Sequence, residues 1–572
     1  MPDNIRRLIA APWLAATLLF AVVLAFYAHT ARFSFVDFDD NEYVFDNPRV
    51  LSGLSTKNMW WALTDVGYAA NWHPLTWWSL MADTDIAGVH PKRLKGMVYK
   101  DAHLESHDFD RLSRVMHFHN AILHALNAAL LLLLMSVWAK EFCGGSQRDA
   151  AESGAMPISV VAFAFVACLV WALHPLRAEV VCWTSERKEL ICTAASLATL
   201  LCCAKDRPIL AFLFCSAAIL AKPMAVTLPV VAFCADWIVR ERPRVRRFVV
   251  LMVPAVLCAV LTLMAQKEAM PGKVVSFARR LPNAVVSVGT YLVETFCPRG
   301  LVAMYPFPAR VNWWLFSLGM VVIAVCVVLC VRWMVRWMSR SVHATNEHDW
   351  LSAVTFGVVW CTVGLLPVIG IIQVGSQAHA DRYTYWVGCG VASAAMLVVL
   401  TLAPRIRAVV LAAAACVVVA LIPPALRQCG TWSTSAALYE HAFRETGSAW
   451  SAFSLGESHV RSDPARAEFY YRAAIADRPE DESLAALAVL LAVKPGNGDL
   501  AEPRACAEAS LKINPKNWRA WEALGFVGMR TKDFPLAARA FSEALKNGSD
   551  NPMVERLAVE AAQRARPGPW RN

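Results

Sequence analysis

The residues best placed to do chemistry lie in Phe35-Val-Asp-Phe-Asp-Asp-Asn-Glu-Tyr43, directly after an apolar run at 8–28. Asp37, Asp39 and Asp40, with Glu42 beside them, gather carboxylates where a helix would leave a bilayer. Ionisable side chains at membrane depth are costly and mark function by default. A carboxylate at that level can take the proton of a hydroxyl as its oxygen attacks a lipid-borne substrate. Positioned proton transfer of this kind typically contributes ~10²–10⁴-fold. A solvated loop with one helix-capping Asp is the plain alternative. Three aspartates within four positions favour a catalytic or metal-binding role for Asp39 or Asp40.

Other groups of chemical type follow along the chain. In Asn71-Trp-His-Pro-Leu-Thr-Trp77, His73 is of a type that contacts substrate, whereas Trp72, Trp77 and Trp78 read as interfacial anchors. His174-Pro-Leu-Arg177, Glu179 and Glu186-Arg-Lys188 place cations in a loop expected on the outer side. Lys222-Pro223 and Asp381-Arg-Tyr383 do the same, the latter after Gln373-Val-Gly-Ser-Gln377 and His379. Arg187, Lys188, Lys222 and Arg382 are therefore expected to hold a phosphate, with Glu186, His379 and Asp381 near the substrate. Each charge-assisted hydrogen bond contributes roughly 1.5–3 kcal/mol. Pairing of Glu186 with Arg187 or Lys188 in a structural network is the competing reading. His119, Asn120, His124 and Asn127 do not all share one helical face, and they read as links between helices. Arg279 and Arg280 read as tethers of segment 283–298, and Tyr305-Pro306 as a turn without a role. No P-loop, GxSxG elbow or dinucleotide fingerprint occurs.

The elements that must carry these groups are largely apolar. Of 572 residues, 57% are hydrophobic, and the mean hydropathy is +0.41. Crossing a ~30 Å hydrocarbon core takes about 20 apolar residues. Runs near 8–28, 118–138, 158–175, 188–204, 207–222, 224–239, 248–265, 312–331, 351–371, 384–402 and 406–424 give eleven candidate spans. Segment 283–298 is expected to be re-entrant or interfacial. Lys and Arg concentrate in one alternating set of loops, including Arg6, Arg7, Lys140, Arg148, Lys205, Arg207 and the stretch Arg240 to Arg247. These loops read as cytoplasmic. The expected protein is integral to a bacterial inner membrane, with a cytoplasmic N-terminus and with the long loop 30–117 and the C-terminal tail exoplasmic. The net charge of +10 follows from that bias and gives no reason to invoke nucleic acid. The 17 cysteines lie mostly singly in apolar runs, without a CxxC pair.

Two domains are expected. Residues 1–427 form the membrane part, and 428–572 form an Ala-rich, charged, helical tail. In the tail, Leu455-Gly456, Ala467, Tyr471, Ala474 and Pro479 fit a tetratricopeptide unit one residue short in its turn. Trp521, Leu524-Gly525, Ala537, Phe541 and Ala544 fit another without a gap. Leu487-Ala488 and Pro515 mark a degenerate unit between them. Small residues let paired helices approach and an aromatic fills the space between them. A helical repeat exposes a concave face, so the tail is expected to grip a polypeptide. A generic helical bundle is the alternative.

In order and spacing, these motifs resemble the transmembrane and tetratricopeptide-repeat-containing O-mannosyltransferases and their bacterial relatives. The resemblance runs through Asp39-Asp40, Asn47-Pro48, Asn71 to Trp77, His119-Asn120 with His124, His174-Pro175 and Glu186 to Lys188. It continues through Ala221-Lys-Pro-Met224, Val374 to Gln377, Asp381 to Tyr383 and the repeats. It implies an all-α glycosyltransferase C fold of about eleven membrane helices followed by the repeats. It also implies transfer of a sugar from a polyprenyl-phosphate donor to a hydroxyl, usually of protein Ser or Thr, on the outer face. The acidic pair of that family maps onto Asp39 and Asp40, with Asp40 slightly preferred as base. No residue pattern demands a cofactor, and relatives of this fold differ in whether a divalent metal helps. Residues 84–116, with Lys92, Arg93, Lys95 and His103, read as an insertion relative to the family pattern. A membrane-anchored, non-enzymatic repeat scaffold is the competing class. A transporter fits less well, because the expected spans carry almost no charge.

Overall fold

The computed structural model describes residues 11–70, 72–89, 107–142, 158–240, 243–269, 275–308, 310–339, 349–372, 375, 377–496 and 498–566. Arg6, Arg7, Asn71, Lys92, Arg93, Lys95, His103, Arg148, Gln373 and Val374 lie outside them. The described residues are helical, and their only β pairing is an isolated bridge between Pro306 and Gln377. The chain divides into two compact units, Met1–Ser435 and Ala436–Asn572.

In the first unit the helices are α1 (Pro12–Tyr27), α2 (Pro48–Leu51), α3 (Thr56–Thr64), α4 (Pro74–Ala87), α5 (His107–Phe142), α6 (Ile158–Ala172), α7 (Ala178–Cys182) and α8 (Arg187–Ala204). They continue as α9 (Pro208–Ala221), α10 (Leu228–Cys234), α11 (Val245–Ala269), α12 (Phe277–Phe296), α13 (Trp313–Ser339), α14 (Trp350–Leu365), α15 (Thr384–Leu400) and α16 (Pro404–Gly430). Among the described residues, five stretches are long and apolar enough to cross a membrane: Pro12–Arg32, His107–Phe142, Trp313–Ser339, Asp381–Leu400 and Pro404–Gly430. A sixth is added if Ser159–Ala172 and Pro175–Cys182, bent by 65°, count as one span.

That number is smaller than the eleven runs of the sequence, for a physical reason. Several runs are broken into short helices. α9 has 14 residues and ends at Lys222, and α14 has 16. At 1.5 Å per residue, 14 residues reach roughly 21 Å, short of a ~30 Å core. The run at 224–239 becomes a 3₁₀ turn, the short α10 and a π turn. α8 opens on Arg187, Lys188 and Glu189, all buried. α13 and α16 bury few of their apolar positions, only 6% and 11% of their most hydrophobic windows. Apolar surface left open in this way is stable against lipid rather than water.

The described residues of the stretch 30–117 are far from an extended loop. They fold into the 3₁₀ turn Ala28–Arg32, the π turn Asn41–Phe45, α2, α3, α4 and the first turns of α5. Asn47 caps α2 by accepting from Arg49 N and Val50 N, and Ser55 caps α3 by accepting from Asn58 N. Tyr43, Trp77, Leu80, Met81, Leu112 and Met116 pack together as its core. Trp77, expected at the lipid interface, is a core residue only 1% exposed. Trp72 and Trp78 donate their indole N–H groups to Leu63 O and Met59 O, at 3.0 and 3.2 Å.

Polar residues of α5 tie helices together. His124 bonds Tyr385 Oη at 2.7 Å and Ala172 O at 3.1 Å, and Asn127 donates to Leu190 O and Tyr385 Oη. Ala172 ends α6 just before Pro175, which has no N–H to donate. Tyr27 Oη adds a second donor to Ala172 O, at 2.9 Å.

The second unit carries α17 (Ser435–Thr446), α18 (Ala449–His459), α19 (Pro464–Asp477), α20 (Asp481–Val493), α21 (Ala501–Ile513), α22 (Trp518–Thr531), α23 (Phe534–Lys546) and α24 (Pro552–Ala565). Its cores are built from its own residues. Gly456 faces the Tyr471 ring so closely that a Cβ would sit 2.3 Å from it, and Gly525 meets Phe541 at the same distance. These glycines let helices of each pair approach around an aromatic side chain.

Candidate functional site

Asp39 stands at the centre of the first unit's polar cluster. It is a non-glycine residue with φ of +65°, a conformation L-residues adopt at a cost, Asp and Asn less than most. Its side chain retains contact with solvent, yet surrounding protein raises its pKa above the ordinary aspartate value. Lys188 and Arg382 pull that pKa down and Glu186 pushes it up. Asp39 is thus an accessible carboxylate that is partly desolvated and flanked by charge. Glu42 is also exposed, and burial of its surroundings, then Asp39, raise its pKa.

Asp40, one residue on, is fully buried. Its Oδ1 accepts from Ser185 N at 3.0 Å and Ser185 Oγ at 2.6 Å, and its Oδ2 accepts from Val36 N at 3.1 Å. Burial raises its pKa to about 7 against the pull of those three bonds. With both oxygens engaged away from solvent, Asp40 positions the Asp39 turn against the 184–186 turn. Asp40, the residue preferred as base, is thus closed off from solvent, and Asp39 is the open carboxylate of the pair.

Opposite stands an alternating ring of buried charges. Glu186 lies 3.0 Å from Lys222 Nζ, 3.4 Å from Lys188 Nζ and 3.7 Å from Arg382 Nε. Burial pushes the Glu186 pKa up, but Lys222, Lys188 and Arg382 together outweigh it and hold it at about 2. Lys222 also pairs with Glu189 at 2.8 Å. Arg382 donates from Nη1 and from its backbone N to Glu179, at 2.5 and 2.8 Å. Lys188 Nζ donates to Tyr43 Oη at 3.1 Å and sits 4.4 Å from the Tyr43 ring centre. Lys188 and Arg382 each lie 5.6 Å from the Trp183 ring centre. Trp183 is held by stacking on Phe38 and Trp432, and it donates to Phe38 O at 2.7 Å. The carboxylates keep these cations charged in a buried setting. Each ammonium has one N–H beyond its two partners.

His73 reaches the same cluster through stacking on Tyr43, at 5.4 Å and 18° between planes, with Trp77 at 4.6 Å. It is 1% exposed, and neither ring nitrogen has a hydrogen-bond partner among the described residues. Burial and Lys188 lower its pKa well below the ordinary value, Glu186 opposing and Lys222 assisting. The ring is therefore neutral, with one donor and one acceptor unused.

Arg187 does not belong to this ring. It is fully buried with its donors committed: Nε to Asn120 Oδ1, Nη1 to Asp83 at 2.7 Å and Ser79 at 3.1 Å, and Nη2 to Met116 O at 2.6 Å. It clamps α4, α5 and α8, and the expectation that it holds a phosphate is corrected. The alternative pairing of Glu186 holds for Lys188 and not for Arg187.

His379 and Asp381 form a neighbouring group that joins the ring through Arg382. His379 stacks on Tyr305 at 3.9 Å, and its Nε2 lies 3.4 Å from Glu294 Oε1. Tyr305 Oη donates to Asp381 Oδ1 at 2.8 Å and accepts from Val302 N at 3.0 Å. Sequence reasoning gave Tyr305 no role and passed over Glu294. Both are polar groups in an apolar setting, but Glu294 sits in a segment read only as re-entrant or interfacial. No three His, Cys, Asp or Glu side chains among the described residues converge in a way that could hold a metal.

No family model matches the chain. No curated protein matches it either.

Proposed function

We propose that the protein is a membrane glycosyltransferase of the glycosyltransferase C type, similar to the tetratricopeptide-containing O-mannosyltransferases. It moves a sugar from a polyprenyl-phosphate donor to an acceptor hydroxyl, of a protein Ser or Thr, on the outer face of the membrane. The observation that carries the reading is the accessible, desolvated carboxylate of Asp39 facing a buried ring of Lys188, Lys222 and Arg382.

In this reading the acceptor oxygen attacks the anomeric carbon while its proton passes to the Asp39 carboxylate. The bond from that carbon to the phosphate oxygen breaks, and its electron pair stays on the lipid phosphate. The spare donors of Lys188 and Lys222, with the positive charge of Arg382 beside them, stabilise the charge that grows there, a preorganised arrangement that needs no reorganisation during reaction. A raised Asp39 pKa makes that carboxylate the better base. Asp40, Glu179, Glu186 and Glu189 hold the constellation in place. The paired helices of the second unit fit tetratricopeptide repeats by the spacing of Gly456 with Tyr471 and Gly525 with Phe541, and they would grip the polypeptide acceptor.

The test is incubation of the purified protein in lipid nanodiscs with a panel of polyprenyl-phosphate sugars and a Ser/Thr-rich peptide. Release of lipid phosphate together with a glycosylated peptide is expected for one donor. A scaffold without catalytic activity releases none from any donor.

A further inference from the structure

The ring of cations accounts for a phosphate, but it leaves unexplained the second polar group at its edge. Tyr305, His379, Glu294 and Asp381 are drawn from three parts of the chain and are rigidly set. Ala378 N donates to Tyr305 O at 2.8 Å, and Asn283 donates to Ala378 O at 2.7 Å. Tyr291 Oη bonds both the N–H and the carbonyl of Ala380. His174 bonds Thr295 O at 3.1 Å, fixing the end of α12 beside Glu294. Within this frame Glu294 is 7% exposed, and its Oε2 has no hydrogen-bond partner among the described residues. His379 keeps part of its surface open on the stacked Tyr305.

An unmatched carboxylate oxygen on a buried side chain is costly unless something donates to it. The surroundings narrow down that donor. A cation is already close by, Arg382 being spent on Glu179 and Glu186. Flat rings flanked by carboxylates suit a polyhydroxylated ring, whose C–H face packs on an aromatic and whose hydroxyls donate to acceptors. We infer that Tyr305, His379, Glu294 and Asp381 form a subsite for the sugar of the donor, with Arg382 marking its border with the phosphate. This inference rests on the glycosyltransferase reading and assigns the site a direction, with lipid phosphate at Lys188 and Lys222 and sugar at Glu294.

The experiment measures binding of a polyprenyl phosphate, and of its mannosyl and glucosyl forms, to the full-length protein in nanodiscs by native mass spectrometry. Wild type, Glu294→Gln and His379→Ala are compared. For at least one sugar, wild type is expected to bind the glycosylated lipid more tightly than the bare phosphate. Glu294→Gln is expected to weaken that form about tenfold or more and leave the bare phosphate unchanged, in line with loss of a hydrogen bond to a charged acceptor. His379→Ala, which leaves Glu294 in place, is expected to erode the same preference. If wild type binds the lipids but both variants weaken bare and glycosylated forms alike, or neither, the sugar subsite is wrong and the transferase reading stands. If wild type binds none of them, the transferase reading itself falls and the subsite with it.

Discussion

Asp39 and Asp40 show how far two adjacent like residues can diverge. One occupies a left-handed turn and faces solvent. The other is buried and accepts three hydrogen bonds. Asp39→Asn is expected to cut transfer by ~10²–10⁴-fold, the usual worth of a general base, with thermal stability unchanged. Asp39→Gly should remove the backbone strain and raise stability by about 1 kcal/mol while abolishing transfer, as judged by a melting curve beside a turnover assay. Asp40→Asn should keep most activity but lower stability by about 1 kcal/mol, because an amide cannot match both Val36 N and Ser185 N. Its pKa also has a consequence. The folded value of about 7 lies above the ordinary 3.8, so this group's stabilising contribution is complete below 3.8 and is lost as pH rises through about 7. Melting temperatures across pH 4 to 8 (roughly the span of that shift) should fall less steeply in Asp40→Asn than in wild type. The acid cluster was legible in the sequence, but which carboxylate remains open to substrate depends on a φ angle and on Ser185, 145 positions away.

Arg187 and Lys188 make the same point at the start of α8. Neighbouring residues on a helix point about 100° apart, so one enters the α4–α5 interface and the other the charge ring. Sequence shows two adjacent cations, and only the partners tell them apart. Arg187→Ala is expected to lower stability by about 3–5 kcal/mol, because it leaves buried Asp83 without its guanidinium and with His119 as its remaining partner. A detergent melting curve checks this, and Arg187→Lys should rescue little, since an ammonium cannot reproduce the fork of bonds.

At the scale of elements, apolar runs located most of the helices but overstated how many cross a membrane. Hydropathy counts residues, whereas a span depends on unbroken length, and Pro223, Lys222 and the charged start of α8 interrupt it. The contact between α12 and α13 was invisible in hydropathy. Gly289 meets Leu315 O and Gly319 meets Val285 O, so a Cβ at either would lie 2.4 or 2.1 Å from a carbonyl. Gly289→Val should therefore force α12 away from α13, lowering stability by about 1–3 kcal/mol. Because Glu294 lies on α12, binding of a glycosylated lipid should weaken in the same variant. Gly430→Ala, with nothing within 4 Å, is the control expected to leave both unchanged.

On the scale of the molecule, the separate cores of the two units predict separate folding. Residues 436–566 expressed alone should give a helical circular dichroism spectrum and a cooperative melt. A disordered spectrum would mean that the unit borrows its stability from elsewhere. The pairings of Gly456 with Tyr471 and of Gly525 with Phe541 were legible because glycine opposite an aromatic ring leaves a sequence mark. The charge ring was legible only as scattered charged residues, since its members come from positions 186, 188, 222 and 382. The account turns on Asp39 acting on a hydroxyl beside that ring. Its most direct test is the rate of lipid-phosphate release from a glycosylated polyprenyl phosphate by wild type and Asp39→Asn, each in nanodiscs with an acceptor peptide. Rapid release by wild type and near-absence in Asp39→Asn, with equal donor binding by both, is the predicted result; equal release rates would contradict it.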